Sequence, residues 1–221
     1  MMTVPKPSID LNSVQRILGA HLSMYRKKVP TYQTLLLSSL RQVWLGHAQK
    51  LLDVGGGTGV IAEAISELFP VAEVQVVDVV DRFCPSLSVQ TQQYDGRKLP
   101  FSDGSFNAAT INNVIHHVPA DARSGLLREI RRAVDGPLYI KDHETRGKLD
   151  DLRLATLDAI GNIPFGGMVR AHYLSRAEWE LLAKESGYRI AARSEQFPYR
   201  TGAFAMLFPN SLEVTMRFEP S

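Results

Sequence analysis

The sequence predicts an α/β protein with a doubly wound, mostly parallel sheet, helices on both faces and an antiparallel hairpin at one end. Three observations predict it. From Lys50 onward, apolar runs of strand length alternate with helical stretches. Those runs are nearly continuous in apolar residues, as strands covered on both faces are. One of them passes directly into a glycine-rich turn, Gly55-Gly56-Gly57-Thr58-Gly59, and a helix follows.

The elements follow in order. Residues 1–8 hold two prolines and read as a loose arm. Helices are expected over Leu11–Leu22 and Thr31–His47. In the second, Leu35, Leu36, Leu40, Val43 and Trp44 recur at helical spacing, with Pro30 as the boundary before it. Strands are expected at Lys50–Val54, Val74–Val79, Phe106–Ile111 and Leu138–Lys141, and helices at Val60–Phe69, Ala120–Val134 and Leu149–Ile160. Ser175-Arg176-Ala177-Glu178 is a capping box that opens a helix to Ser186, with Gly187 at its C-terminal end. Tyr188–Phe197 and Ala203–Phe208 read as the two strands of the hairpin, joined through Pro198 and Gly202. Two parts are expected: 1–48, an arm and helices that cover the site, and 49–221, one globular unit.

Bulk properties narrow the function. The 221 residues are 44% hydrophobic and 22% charged, with a formal net charge of +2. So small a charge does not argue for nucleic acid or a membrane surface as partner. Arg123, Arg128, Arg131 and Arg132 form the one notable basic cluster, read as a solvated helix face. A single cysteine, Cys84, excludes an internal disulfide and a thiolate metal cluster, and no metal is expected. The start of the chain lacks the apolar core of a signal peptide, and Leu35-Leu36-Leu37 is too short to span a bilayer. These features point to a cytoplasmic protein with a small-molecule substrate, and leave the oligomeric state open.

The glycine turn carries the strongest functional signal. Glycines at a strand-to-helix turn permit positive φ and close approach of a ligand to the backbone. The helix N-terminus presents free N–H groups to a negative group such as a carboxylate. Gly57-Thr58-Gly59-Val60-Ile61-Ala62 also fits the loose dinucleotide pattern. Asp53, however, ends the strand just before the first glycine. A carboxylate repels a pyrophosphate and suits a cationic ligand, such as the sulfonium and ammonium of S-adenosylmethionine (SAM).

With Asp53, Gly55, Gly57 and Gly59 in place, the segment resembles the first motif of Rossmann-fold (class I) SAM-dependent methyltransferases, of the small-molecule "methyltransferase type 11" kind. Three further features come in the family's order: Asp78 at the end of the second strand, Tyr94-Asp95-Gly96 with Leu99-Pro100-Phe101-Ser102-Asp103-Gly104-Ser105-Phe106, and Ile111-Asn112-Asn113-Val114-Ile115-His116-His117-Val118. The resemblance covers Lys50 to Lys141 well and the whole chain loosely. It implies a seven-stranded sheet and SAM as cofactor. It places Gly56 in the loop, Asp78 and its neighbour Val79 on the ribose, and Asp95 with Gly96 at the adenine amino group. Asn112 and Asn113 then lie beside the cofactor, Asn113 where relatives often carry an acid or a small residue. Asp81 competes with Asp78 for the ribose.

Methyl transfer is an in-line displacement in which the enzyme mainly aligns nucleophile, methyl and sulfur. A hydroxyl acceptor is helped by a general base. Two candidates follow strands at the cofactor edge: His117, and His143 in Lys141-Asp142-His143, where Lys141 is a partner for Asp142 or Glu144. The stretch Gly161–Tyr173 reads as a loop over the substrate pocket, with Arg170, His172 and Tyr173 as candidate substrate contacts. The reading is methylation of a small molecule, at oxygen before nitrogen or carbon. The alternatives are an NAD-dependent oxidoreductase, which leaves Asp53 unexplained, and a protein that holds SAM without catalysis.

Overall fold

A computed structural model describes residues 8–162, 171–194 and 199–221. Its sheet is doubly wound, as the alternating pattern predicts. Strands β1 (Ala48–Val54), β2 (Val71–Asp78), β3 (Gln90–Gln93), β4 (Ala108–Asn112) and β5 (Leu138–Thr145) are parallel, β8 (Glu213–Pro220) runs antiparallel to β5, and β7 (Tyr188–Arg193) antiparallel to β8. The spatial order is β3-β2-β1-β4-β5-β8-β7, with the two-residue β6 (Leu174–Ser175) beside β5. The chain leaves β1 toward β2 on one side and later returns to β4 on the other. That reversal opens a crevice at the carboxyl ends of β1 and β4, where ligands bind in such sheets.

Two apolar layers cover the sheet. On one face, α1 (Leu11–His21), α2 (Thr31–Val43) and α3 (Val60–Leu68) bury Val14, Ile17, Leu37, Leu40 and Ile65 against Leu51, Val76 and Tyr139. On the other, α4 (Ala120–Ala133) and α6 (Arg176–Glu185) bury Leu127, Ile130 and Trp179 against Leu52, Ile111 and Ile140, and α5 (Lys148–Asn162) buries Leu154 against Tyr173 and Leu212. The Asp10 and Ser175 side chains cap α1 and α6 with complete capping boxes, and Gly187 takes φ +77° after α6. No helix among the described residues is long and apolar enough to cross a membrane.

Several expectations need correction. Ala203–Phe208 is not a strand: α7 (Gly202–Leu207) is helical, and the second hairpin strand is β8. A short apolar run without alternation fits either state, and Ala, Met and Leu favour a helix. In β8 the buried Val214, Met216 and Phe218 alternate at period two. The polar, exposed β3 carries no apolar signal at all and is held by backbone pairing to β2. The second helix stops at Val43, because Trp44 turns extended and stacks on Tyr139. The arginine cluster is not simply solvated. Arg123 is buried and donates to the carbonyls of Val118 and His172, while Arg132 holds Glu129, Asp103 and the Leu99 carbonyl. Residues 1–7 and the Pro198 end of the hairpin connection lie outside the described residues.

Candidate active site

The loop after β1 is held by its own backbone and by one carboxylate. The N–H groups of Gly55 and Gly56 donate to the Val77 carbonyl, and Gly57 N–H donates to Asp78 Oδ2 at 2.7 Å. Gly55, Gly57 and Gly59 have φ of +73°, +59° and +81°. At Gly56 a Cβ would stand 2.3 Å from Val76 Cγ1 and 2.8 Å from Asp53 Oδ2, so the backbone packs where a side chain cannot. At Gly57 no protein atom lies within 4 Å of that position, and the bare backbone faces outward.

Asp53 lies under this loop, buried between β2 and β4. Its Oδ1 accepts from the Thr110 hydroxyl at 2.6 Å and from Asn112 Nδ2 at 3.3 Å. Two neutral donors do not balance a buried charge. Burial pushes its pKa up to about 6, against the Thr110 hydrogen bond and with the help of the nearby Asp78 carboxylate. Asn112 Oδ1 is buried without a hydrogen-bond partner. A cationic group with N–H donors satisfies both atoms, so the residues present fit the ammonium end of SAM. Asp78 also accepts Val80 N–H at 3.0 Å, and its competitor Asp81 is exposed. Val79 is exposed beside Gly96, whose φ is +76°. Asp95 is exposed too and turns its Oδ1 onto the N–H groups of Arg97 and Lys98, which hold its pKa down.

Beyond β4 the structure gathers polar residues from several segments. Asn113, at φ +55°, accepts from Tyr32 of α2 and from Lys141, both at 3.1 Å. Lys141 does not pair with Asp142 or Glu144. Alternation along β5 sends it to the other face, where it donates to Tyr32 Oη at 2.6 Å and to Glu213 of β8. Glu144 pairs with Arg193 at 2.7 Å. Glu213 also accepts from Arg200 and Tyr199. Burial would raise the Glu213 carboxyl, but Lys141, His143 and Arg200 hold it well below the usual carboxylate range.

The two histidines proposed from sequence stand close together, with a third between them. His143 Nε2 is 3.5 Å from Glu213 Oε2, and its Nδ1 is buried with no hydrogen-bond partner. The rings of His116 and His117 are 4.0 Å apart, and those of His116 and His143 are 5.1 Å apart. His116 donates Nδ1–H to Asp142 Oδ1, and its Nε2 is 3.3 Å from Asp158 Oδ2. Burial opposes its charge, but the two carboxylates outweigh burial and raise its pKa to about 9. Tyr173 is buried and donates to Asp158 at 2.6 Å, so its hydroxyl supports this cluster instead of facing a pocket. His172 donates its backbone N–H to the His116 carbonyl at 2.8 Å and leaves its side chain exposed near Glu178. Arg170 lies outside the described residues. Asp158, Glu213 and Tyr32 are not legible as site residues, because each comes from an element far away in sequence.

Residues 52–136, which span the glycine loop, Asp78, Asp95 and the β4 motif, match the family described as methyltransferase domain. Over this segment, well under half of its length, the chain is similar to a methyltransferase domain. The chain is similar to demethylspheroidene O-methyltransferase of Rhodobacter capsulatus, with 29% identity over 121 residues, 51% of this chain and 30% of that protein. It is similar to malonyl-[acyl-carrier protein] O-methyltransferase of Geobacter sulfurreducens, with 25% identity over 150 residues, 63% of this chain and 55% of that protein. The chain therefore spans only 30% and 55% of the length of these two relatives. Its fold is shared with magnesium protoporphyrin IX methyltransferase of Synechocystis PCC 6803, solved with bound SAH, at TM-score 0.60 and 16% identity, covering 95% of this chain and 94% of that one.

Proposed function

We propose that this chain transfers the methyl group of SAM to an oxygen of a small molecule. The observation that carries the reading is Asp53, a buried carboxylate with too few donors beneath a glycine loop, beside the unpartnered Asn112 Oδ1. Bound SAM supplies the electrophilic methyl. The loop from Gly55 to Gly59 lets the cofactor backbone approach, Asp53 and Asn112 take its ammonium end, and Asp78, with lone pairs left beyond Gly57 and Val80, takes the ribose hydroxyls. Asp95 and Gly96 border the adenine.

The chain's own contribution to the reaction is alignment and proton acceptance. Tyr32, Asn113 and Lys141 form a bonded wall between the N-terminal helices and the sheet edge. His143 is the base: its Nε2 lies 3.5 Å from Glu213 and its Nδ1 3.6 Å from Asp142, and these carboxylates stabilise the imidazolium formed when the ring takes the proton of an acceptor hydroxyl. Oxygen is favoured over nitrogen by this carboxylate-backed imidazole, and both curated relatives carry O-methyltransferase names.

The test is SAH formation by the purified chain across small phenols, carboxylic acids and primary amines. Turnover confined to oxygen acceptors, and slowed about tenfold or more in single turnover by His143→Ala, supports the reading. Turnover with amines alone contradicts it.

A further inference from the structure

We propose that His116, His117 and Asp158 form a binding site for a divalent transition metal of the zinc type. The inference does not depend on the methyl acceptor or on SAM. One donor atom from each of the three residues lies within 4.8 Å of the other two. The His116 Nε2 to Asp158 Oδ2 separation is 3.3 Å. Two ligands of a tetrahedral zinc, each ~2.1 Å from the ion, stand ~3.4 Å apart. That edge of the site is already at metal-bound spacing.

The chemistry of the donors points the same way. His116 is almost fully buried and donates its Nδ1–H to Asp142, so in the neutral ring the lone pair sits on Nε2. Nε2 has no hydrogen-bond partner, and the atom it faces is a carboxylate oxygen. A ring nitrogen and a carboxylate oxygen this close, out of water, need positive charge between them, either the Nε2 proton of the imidazolium or a metal ion that replaces it. The surrounding shell is the one that metal-ligating residues use. A ligating histidine donates its other ring N–H to a carboxylate, and a ligating carboxylate is itself hydrogen-bonded. Asp142 fills the first role, with its Oδ2 pinned by Ile115 N–H at 3.0 Å. Tyr173 fills the second, donating to Asp158 at 2.6 Å.

A second grouping, His116 with Asp142 and His143, has donor atoms within the same span. It is the poorer site, because Asp142 already accepts from Ile115 N–H, His143 N–H and His116 Nδ1. Two imidazoles and one carboxylate select zinc, cobalt or iron(II) over magnesium and calcium. Three protein ligands also leave one coordination position for water or an acceptor oxygen. His117, a base candidate by sequence, becomes a ligand, and proton acceptance falls to His143.

The test uses the untagged full chain, stripped with a chelator and titrated with Co²⁺ alone. The expected result is one bound ion per chain with the visible bands of a four- or five-coordinate site, displaced by Zn²⁺. His117→Ala and Asp158→Asn abolish the bands, with native folding checked by circular dichroism. Asp142→Asn keeps the stoichiometry but weakens binding about 10- to 100-fold. Absence of Co²⁺ and Zn²⁺ binding to the native chain, or equal binding by it and both ligand variants, overturns the proposal and leaves His116 as an imidazolium clamped by two aspartates.

Discussion

Asp78 holds the glycine loop with its own carboxylate: Oδ2 accepts Gly57 N–H at 2.7 Å, and Oδ1 accepts Val80 N–H at 3.0 Å. One side chain thus ties the end of β2 to the turn after β1, beside the crevice where the sheet order reverses. A residue read from sequence as a ribose contact braces the loop.

Asp78→Asn separates these roles. The amide nitrogen cannot accept, so one of the two backbone N–H groups loses its partner, at about 1–3 kcal/mol. SAM binding should weaken at least as much as stability suggests, by about tenfold or more, read by calorimetry beside thermal melting. Unchanged affinity in a destabilised variant would leave Asp78 a brace only.

Asp53 makes a signed pH prediction. Its folded pKa, about 6, lies above the usual aspartate value of 3.8. Stability from this group is therefore full below about pH 4 and is lost as pH rises through about 6. Above that, the ionised form costs the ligand-free protein about 3 kcal/mol at 1.36 kcal/mol per pH unit. Asp53→Asn should raise the melting temperature of the ligand-free protein at pH 7.5 and weaken SAM binding. For the wild type, SAM affinity should rise between pH 5 and 7. A variant that melts lower and binds SAM normally contradicts this.

The buried pair of Lys141 and Glu213 should behave as a unit. Burial would lower the lysine, but Glu213 first and then Tyr32 hold its pKa above the usual range. Glu213→Gln leaves Lys141 and Arg200 facing a neutral amide and should cost about 3–5 kcal/mol. Adding Lys141→Met should restore part of that loss. Strict additivity of the two changes, measured by denaturant unfolding, would mean that the pair is not coupled.

Trp179 donates Nε1–H to the His143 carbonyl at 3.2 Å, linking α6 to the end of β5. Trp179→Phe keeps most of the buried volume and removes that donor, at about 1–2 kcal/mol. Because it acts on the position of His143, kcat should fall more than KM changes. A change confined to KM would place His143 away from the chemistry.

The parallel half of the fold was legible because its strands are apolar throughout and its loop is rich in glycine. The end of the chain was harder to read. Ala203–Phe208 has the composition of either state, and β3 is a row of exposed polar residues whose strand state comes from its neighbour. The candidate cofactor residues lay in one ordered set of motifs from Asp53 to Asn113. The acceptor side did not, since Tyr32, Asp158 and Glu213 meet the β4 and β5 ends only in three dimensions. Lys141 shows the limit well: its near neighbours in sequence, Asp142 and Glu144, are not its partners, and Glu213 is.

The central claim is tested most directly by calorimetric titration of the full chain with SAM and, separately, with NAD. The account predicts one micromolar SAM site, weakened by Asp53→Asn, and no NAD binding; binding of NAD, or of neither ligand, would contradict it.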